Sequence, residues 1–294
     1  PKKKQSPNVA NYLLFNVLGV SRSGYRAFRK HVPSAGQREK ERRMAQIRMI
    51  YEESHEIYGA PQIAARMHRK GDRISERTVG KYMREMGIRA CYRKHTTHTT
   101  KDPDFSSRLK NILKRNFQPE RPDAAWCTDI TYIWTYEDFV YLVSIMDLYS
   151  RKIISWALGE TLEVKWVLEA VEKAKEQRQV TEPLIIHSDR GIQYTCRAYE
   201  EATEGISRSY SAKACPWDNA CIESFHALIK REWLGRFRIT DYSHVGRLVF
   251  EYIEAFYNTV RLYSHCGYRS PSEYEKEYLE RMEARVKSEE IERR

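Results

Sequence analysis

The chain has 294 residues, of which 41% are hydrophobic and 31% charged, with a net charge of +11. That is enough apolar material for one large and one or two small domains with real cores. No apolar run nears the ~20 residues of a membrane span, and Tyr12-Leu13-Leu14-Phe15 is too short for a secretory leader.

Six cysteines stand at 91, 127, 196, 215, 221 and 266. None forms a C-x-x-C pair, so they read as free thiols of a reducing cytoplasm rather than zinc ligands or disulfides. The charge is unevenly spread. Residues 1–115 hold 27 Lys/Arg against 10 Asp/Glu, and the remainder hold 24 against 30. A basic arm for nucleic acid ahead of a mildly acidic body is expected.

Residues 1–36 read as a basic N-terminal helical segment. One short helix runs through Val9, Tyr12, Leu13 and Val17. A second, capped by Ser21, carries Tyr25 and Phe28 with Arg22, Arg26, Arg29 and Lys30. DNA contact and plain packing are both open for this pair.

Residues 37–94 read as a helix-turn-helix DNA-binding domain. A helix over 37–53 carries Met44, Ile47, Ile50 and Tyr51 on one face. Pro61 suits the first turn of a second helix with Ile63, Ala64 and Met67. Gly71 turns the chain, and Ser75 caps a third helix that ends at Gly87. In that helix Val79, Tyr82, Met83 and Met86 form a core stripe, while Arg77, Lys81 and Arg84 lie on another face. This is a recognition helix whose basic residues would meet phosphates or guanine edges in a major groove.

Residues 95–122 read as a linker, Thr-rich around His95 and His98. It includes a short helix through Leu109, Ile112 and Leu113, and Pro119 and Pro122 end it. From 123 to 240 the pattern is that of an α/β domain. Strands are expected at 125–134, 139–147, 152–158, 184–188 and 206–210. Helices are expected at 163–178, at 198–204 and around Glu223. The order β-β-β-α-β-α-β-α implies a mixed five-stranded sheet flanked by helices. Residues 241–294 form a C-terminal helical region. Its amphipathic helix carries Val245, Leu248, Val249, Tyr252, Ile253 and Phe256, and a charged helix or tail from 272 is able to pair with another subunit or stay solvated. Arg261 and His265 are open to either DNA contact or local backbone.

Three acids stand out on separate elements. They are Asp129 within the first strand, Asp189 where the fourth strand leaves the sheet, and Glu223 on a helical face shared with Asn219, His226 and Lys230. In-line attack on a phosphodiester requires charge stabilisation of the entering and leaving oxygens. Two Mg²⁺ ions do this when held by a few carboxylates and the substrate's own phosphate. Asp or Glu, rather than Cys or His, are the ligands such hard ions need. Asp129 suits the bridging position, with Asp189 and Glu223 flanking it. Asp147 competes for that position, but its Asp-x-x-Ser-Arg context reads as a strand-end turn. Lys230 is placed to hold a DNA phosphate. Asn219 and His226 are placed to orient DNA or water at the metals, and Gly191 to let backbone approach substrate.

Several motifs match a known family. They are Trp126-x-x-Asp129-Ile130-Thr131-Tyr132, Asp147-Leu148-Tyr149-Ser150-Arg151-Lys152, and His187-Ser188-Asp189-Arg190-Gly191-x-Gln193-Tyr194. Asp218-Asn219-Ala220-x-x-Glu223-Ser224-Phe225 follows, and then Asn258, Arg261, His265, Gly267 and Tyr268-Arg269-Ser270-Pro271. Over nearly its whole length the chain resembles the DDE transposases of two-frame bacterial insertion sequences, in particular the second-frame product. The catalytic core of that family is similar to retroviral integrase and RNase H-like in fold. The spacing between Asp189 and Glu223 is shorter than usual in the family, with the shortening placed near Glu204-Gly205.

The resemblance implies that Asp129, Asp189 and Glu223 are the catalytic, metal-binding triad, loaded with two Mg²⁺ ions for which Mn²⁺ substitutes. It implies cleavage at terminal inverted repeats and strand transfer into target DNA by a cytoplasmic, nucleoid-associated homo-oligomer. A first-frame protein is a further partner, and no membrane is involved. The alternatives are a catalytically silent DNA-binding regulator derived from a transposase and a plain metal nuclease. The intact acids argue against the first, the basic arm against the second.

Overall fold

The structure is a computed structural model that describes residues 17, 19, 21–29, 32–91, 109–213 and 215–292. The expected helix through Val9, Tyr12 and Leu13 and the run from His95 to Thr100 lie outside the described residues. Helix α1 (Arg22–Arg29) follows Ser21, as its capping residue suggests. Among the described residues no helix is long and apolar enough to cross a membrane.

Three helices build the N-terminal unit: α2 (Ala35–Glu53), α3 (Ala60–Arg69) and α4 (Glu76–Glu85). Local chemistry sets their ends. The Ser34 hydroxyl accepts from Gln37 N–H at the start of α2, and Ser75 accepts from Thr78 N–H at the start of α4. Each satisfies a donor that the helix itself leaves unpaired. Gly71 and Gly87 take φ of +87° and +70°, a region that a side chain disfavours. The first turns α3 into α4 and the second ends α4. Ile47, Ile50, Ile63, Met67, Val79 and Met83 fill the space between the three helices.

The second unit is built on a sheet: β1 (Ala125–Trp134), β2 (Phe139–Asp147), β3 (Ile153–Gly159), β4 (Ile185–Ser188) and β5 (Ser207–Tyr210). Its order is β3-β2-β1-β4-β5. β1, β2 and β3 form an antiparallel meander, and β4 and β5 run parallel to β1. This is the mixed five-stranded sheet expected of an RNase H-like fold. Alternation along β1 sends Ala125, Cys127 and Ile133 to one face and Trp126 to the other. The Trp126 face is covered by α5 (Val164–Gln177) and by the short α6 (Ile192–Thr195) and α7 (Arg197–Ala202). The opposite face is covered by α8 (Ala220–Glu232) and by α9 (Tyr242–Phe250), which continues as a π-helical stretch, Glu251–Tyr257. A long terminal helix, α10 (Pro271–Glu292), closes the chain.

Helical structure through Leu109, Ile112 and Leu113 is not found. The segment lies against β5 instead. Ser209 Oγ accepts from both Ile112 N–H and Leu113 N–H at 2.9 Å, and Lys110 O accepts from Tyr210 N–H. Lys114 and Arg115 then take positive φ. Pairing with the sheet edge satisfies the backbone that a helix would have satisfied internally.

Candidate active site

β4 pairs with β1 only from Ala125 to Cys127. Beyond Cys127 this edge of β1 carries no strand among the described residues, and Asp129 sits two residues past the last pair. Asp189 follows directly on β4, one residue after Ser188. Glu223 lies in the first turn of α8, which crosses the same face of the sheet. Three elements thus deliver the three expected acids to the open edge of β1.

Their electrostatics shows that they share a field. Burial raises the Glu223 carboxyl, and the charges of Asp129 and Asp189 raise it further, to about 7. Like charges brought together in a partly desolvated place disfavour ionisation in this way. Among the described residues no group of three or more His, Cys, Asp and Glu side chains is already close enough to hold a metal ion.

Each acid has its own support. Gly191 N–H donates to Asp189 Oδ1 at 2.9 Å, and a Cβ on Gly191 would stand 3.0 Å from that oxygen. A side chain at this position would press on the Asp189 carboxylate, which glycine leaves room for. His226 Nδ1 lies 3.4 Å from Asp129 Oδ2, while its Nε2 meets Ser144 Oγ at 3.3 Å. Ser144 is the register partner of Asp129 on β2, so the imidazole spans two neighbouring strands from α8. With hydrogen on Nδ1 it donates to Asp129 and accepts from the Ser144 hydroxyl.

His226 and Asn219 are only 5% and 3% exposed. The role expected for them is to orient DNA or water at the metals; the contacts they make are to protein groups beside Asp129. Asn219 Nδ2 donates to Thr128 O, tying the start of α8 to β1 one residue before Asp129. Its Oδ1 is buried without a partner. Lys230 is half-buried, with Nζ 4.5 Å over the Tyr132 ring. Burial lowers its ammonium pKa, and Asp129 opposes that shift. Arg77, Lys81 and Arg84 are all exposed on α4.

Asp147 is not at this edge. It is fully buried, accepts from Ser150 N–H, Ser150 Oγ and Asp123 N–H, and fixes the turn after β2. Arg261 and His265, open between DNA contact and local backbone, bond instead to distant protein groups, the Glu232 carboxylate and Tyr149 O. All six cysteines are free.

Some contributors had no role assigned from sequence. Tyr194 is buried with its hydroxyl 3.3 Å from Thr128 Oγ1, and its acidity is suppressed by burial and by Asp129 and Asp189. Its place five residues after Asp189 was the available signal. Asp218 accepts from Arg115 Nε at 2.6 Å, Asn111 Nδ2 at 2.9 Å and Ala212 N–H at 2.8 Å. Burial raises its carboxyl, but the Ala212 N–H and Arg115 outweigh burial and hold it below the usual range. Nothing in local periodicity links Arg115 to Asp218 a hundred residues later.

Comparison with known proteins follows this layout. An integrase core domain matches residues 119–216, a second integrase core domain matches residues 204–271, and an HTH-like domain matches residues 38–96. The chain is 31% identical over 264 residues to the insertion element IS600 uncharacterized 31 kDa protein of Shigella sonnei, covering 89% of this chain and 97% of that one. It is 32% identical over 246 residues to the transposase for insertion sequence element IS904 of Lactococcus lactis, covering 83% and 97%. Against transposase InsF for insertion sequence IS3A of Escherichia coli it is 30% identical over 267 residues, covering 90% and 93%. Among solved structures, a chain of the simian T-cell lymphotropic virus intasome superposes with a TM-score of 0.46 at 12% identity, over 78% of this chain and 74% of that one.

Proposed function

The chain belongs to the transposases of IS3-family insertion sequences, integrase-core proteins with an HTH-like domain, and from that premise we propose that it cuts element ends and joins them to target DNA through Asp129, Asp189 and Glu223. One observation supports this reading: the charges of Asp129 and Asp189, from two other elements, reach Glu223 and raise its carboxyl.

The donor set fits a divalent cation. It offers only carboxylate oxygens, the ligands hard ions prefer, and the mutual repulsion felt by Glu223 is what a cation relieves. Asp129, Asp189 and Glu223 would hold Mg²⁺, two ions in all and Mn²⁺ in substitution, which when bound supplies charge stabilisation to the attacking and leaving oxygens of a phosphodiester. The chain's own residues do the positioning. His226, braced by Ser144, holds the Asp129 carboxylate, and Gly191 N–H holds Asp189. Lys230 offers an ammonium to a phosphate beside Asp129. On α4 the exposed Arg77, Lys81 and Arg84 grip the terminal repeat. The protein acts on DNA as a homo-oligomer, with the first-frame protein as a further partner.

The test incubates the full chain with labelled duplex carrying the element's end and with Mg²⁺. Nicked and joined products are expected from the native protein. Asp129→Asn, Asp189→Asn and Glu223→Gln are expected to lose both products while still retarding the DNA. Full cleavage by any one of the three variants would exclude the assignment.

A further inference from the structure

The outer half of β1 carries aromatic rings that the core does not use. Thr131, Ile133 and Thr135 are buried, while Tyr132 and Trp134 on the opposite face are 56% and 61% exposed. Across the hairpin Tyr132 is in register with Tyr141 and Trp134 with Phe139. The Phe139 ring stands edge-to-face to both, 5.5 Å from Tyr132 and 4.8 Å from Trp134. Among the described residues these rings pack on one another and stay largely exposed.

Their position matters as much as their exposure. At 3.3 Å per strand residue, Tyr132 lies about 10 Å and Trp134 about 17 Å along β1 from Asp129. This stretch of β1 has no β4 partner among the described residues. Lys230 joins the two regions, since its ammonium lies 4.5 Å over the Tyr132 ring and also feels the Asp129 charge. A polyanionic strand reaching the carboxylates would pass that ammonium and then the rings.

We propose that Tyr132, Trp134 and Phe139, with Lys230 at their edge, form a stacking platform for unpaired nucleobases of the DNA strand whose phosphodiester lies at Asp129, Asp189 and Glu223. The inference rests on the reading that a DNA strand is the substrate of those acids. Single-stranded nucleic acid is held by aromatic faces beside cations, and every base has a face to stack. Opening the last base pairs at the reacting end releases such bases, and capture on the rings offsets the lost pairing. The ammonium over the ring favours this polyanionic occupant over an apolar protein surface, which would have to bury the charge.

The test uses the full chain in EDTA, so that binding is read without cleavage. Two otherwise identical duplexes are compared, one with paired and one with mismatched terminal base pairs, the latter carrying 2-aminopurine at its end. The native protein is expected to bind the mismatched end about 10-fold more tightly, a preference of the size one stacked base provides, and to quench the 2-aminopurine. Trp134→Ala and Tyr132→Leu should lose the preference and the quenching while binding the paired duplex as before. Trp134→Phe should keep both. Equal binding of the two duplexes by the native protein would overturn the proposal, as would a preference that survives Trp134→Ala. Self-association of the free chain that Trp134→Ala abolishes would assign the surface to a second copy and overturn it as well. Because both exposed rings lie outside the core, unchanged circular dichroism is expected of all three variants. Cleavage with Mg²⁺ is scored separately. Cleavage without an end preference removes the platform alone, whereas an end preference without cleavage removes the catalytic reading and leaves a stacking site.

Discussion

The end of α8 carries a buried ion pair whose removal has a calculable cost. Arg261 Nε and Nη2 donate to the two oxygens of Glu232, both at 2.7 Å, and the Tyr252 hydroxyl adds a third bond at 2.8 Å. Both residues are nearly inaccessible, and the guanidinium lies 5.4 Å from the Tyr263 ring centroid. Glu232→Gln keeps the shape and removes the charge, leaving Arg261 buried without a counter-ion. Breaking one side of such a pair costs about 3–5 kcal/mol, because the remaining charge is not resolvated. For a chain of this size that lowers the melting temperature by on the order of 10 °C. Replacing both partners with apolar side chains, as in Glu232→Leu with Arg261→Met, removes the stranded charge along with the attraction. The double variant should therefore recover most of the loss. Thermal unfolding followed by circular dichroism at neutral pH measures both. A Glu232→Gln protein that melts with the native one would refute the reasoning, and so would a double variant worse than the sum of the singles.

His226→Ala removes the imidazole that lies between Asp129 and Ser144 and should raise the Mg²⁺ concentration needed for cleavage by about 10- to 100-fold, the usual cost of losing a residue that orients a metal ligand; an unchanged Mg²⁺ titration would show that the imidazole does not position the acid. His187 is buried between Ser209 and Ser211, and burial pushes its pKa from 6.5 down to about 4. The folded state therefore binds this proton less tightly than the unfolded chain, so stability is intact above pH 6.5 and falls as the pH drops toward 4. The loss is about 2 kcal/mol at pH 5; urea unfolding of His187→Gln should show a shallower acid slope, and identical slopes would remove the claim. Replacing Arg77, Lys81 and Arg84 with Ala should weaken binding to end DNA and reduce the salt slope by about three counterions, measured by titration across salt concentrations; an unaltered slope would mean that α4 does not face phosphate.

How far the site was legible depends on the range of the interactions involved. The strands follow from nearest-neighbour alternation, and β1 and β2 occupy the expected residues. The Ser75 cap acts within three residues. Asp129, Asp189 and Glu223 stand out because acids at strand ends and on a helical face are visible locally. Misreadings arise where the partner is distant. Leu109, Ile112 and Leu113 have helical spacing, yet Ser209 offers their backbone a better acceptor from across the fold. Asn219 and His226 share a helical face with Glu223, which left open whether they orient DNA or water or support the acids. Whether such a polar residue faces solvent or a neighbouring strand depends on how α8 lies on β1, and periodicity does not encode that.

The helix that carries Glu223 also connects the acids to the N-terminal unit. Its first turn is tied to β1 by Asn219, its middle by His226, and its last residue to Arg261. The residues on either side of Arg261 receive the helix-turn-helix: Val260 O accepts from the Tyr58 hydroxyl, which in turn accepts from Leu262 N–H. Trp233, just past α8, meets the His55 ring edge-on at 5.1 Å. The buried pair at Glu232 therefore sits where two requirements meet, keeping Glu223 at the sheet edge and keeping the helix-turn-helix docked. A charge there is a poor source of stability compared with apolar packing. Its geometric demand is greater, because two parallel bonds to one carboxylate fix the angle of the guanidinium as well as its distance. The double apolar variant separates these two contributions: if its melting temperature recovers while cleavage of end DNA does not, the pair serves the alignment of α8 with the helix-turn-helix rather than the stability of the fold.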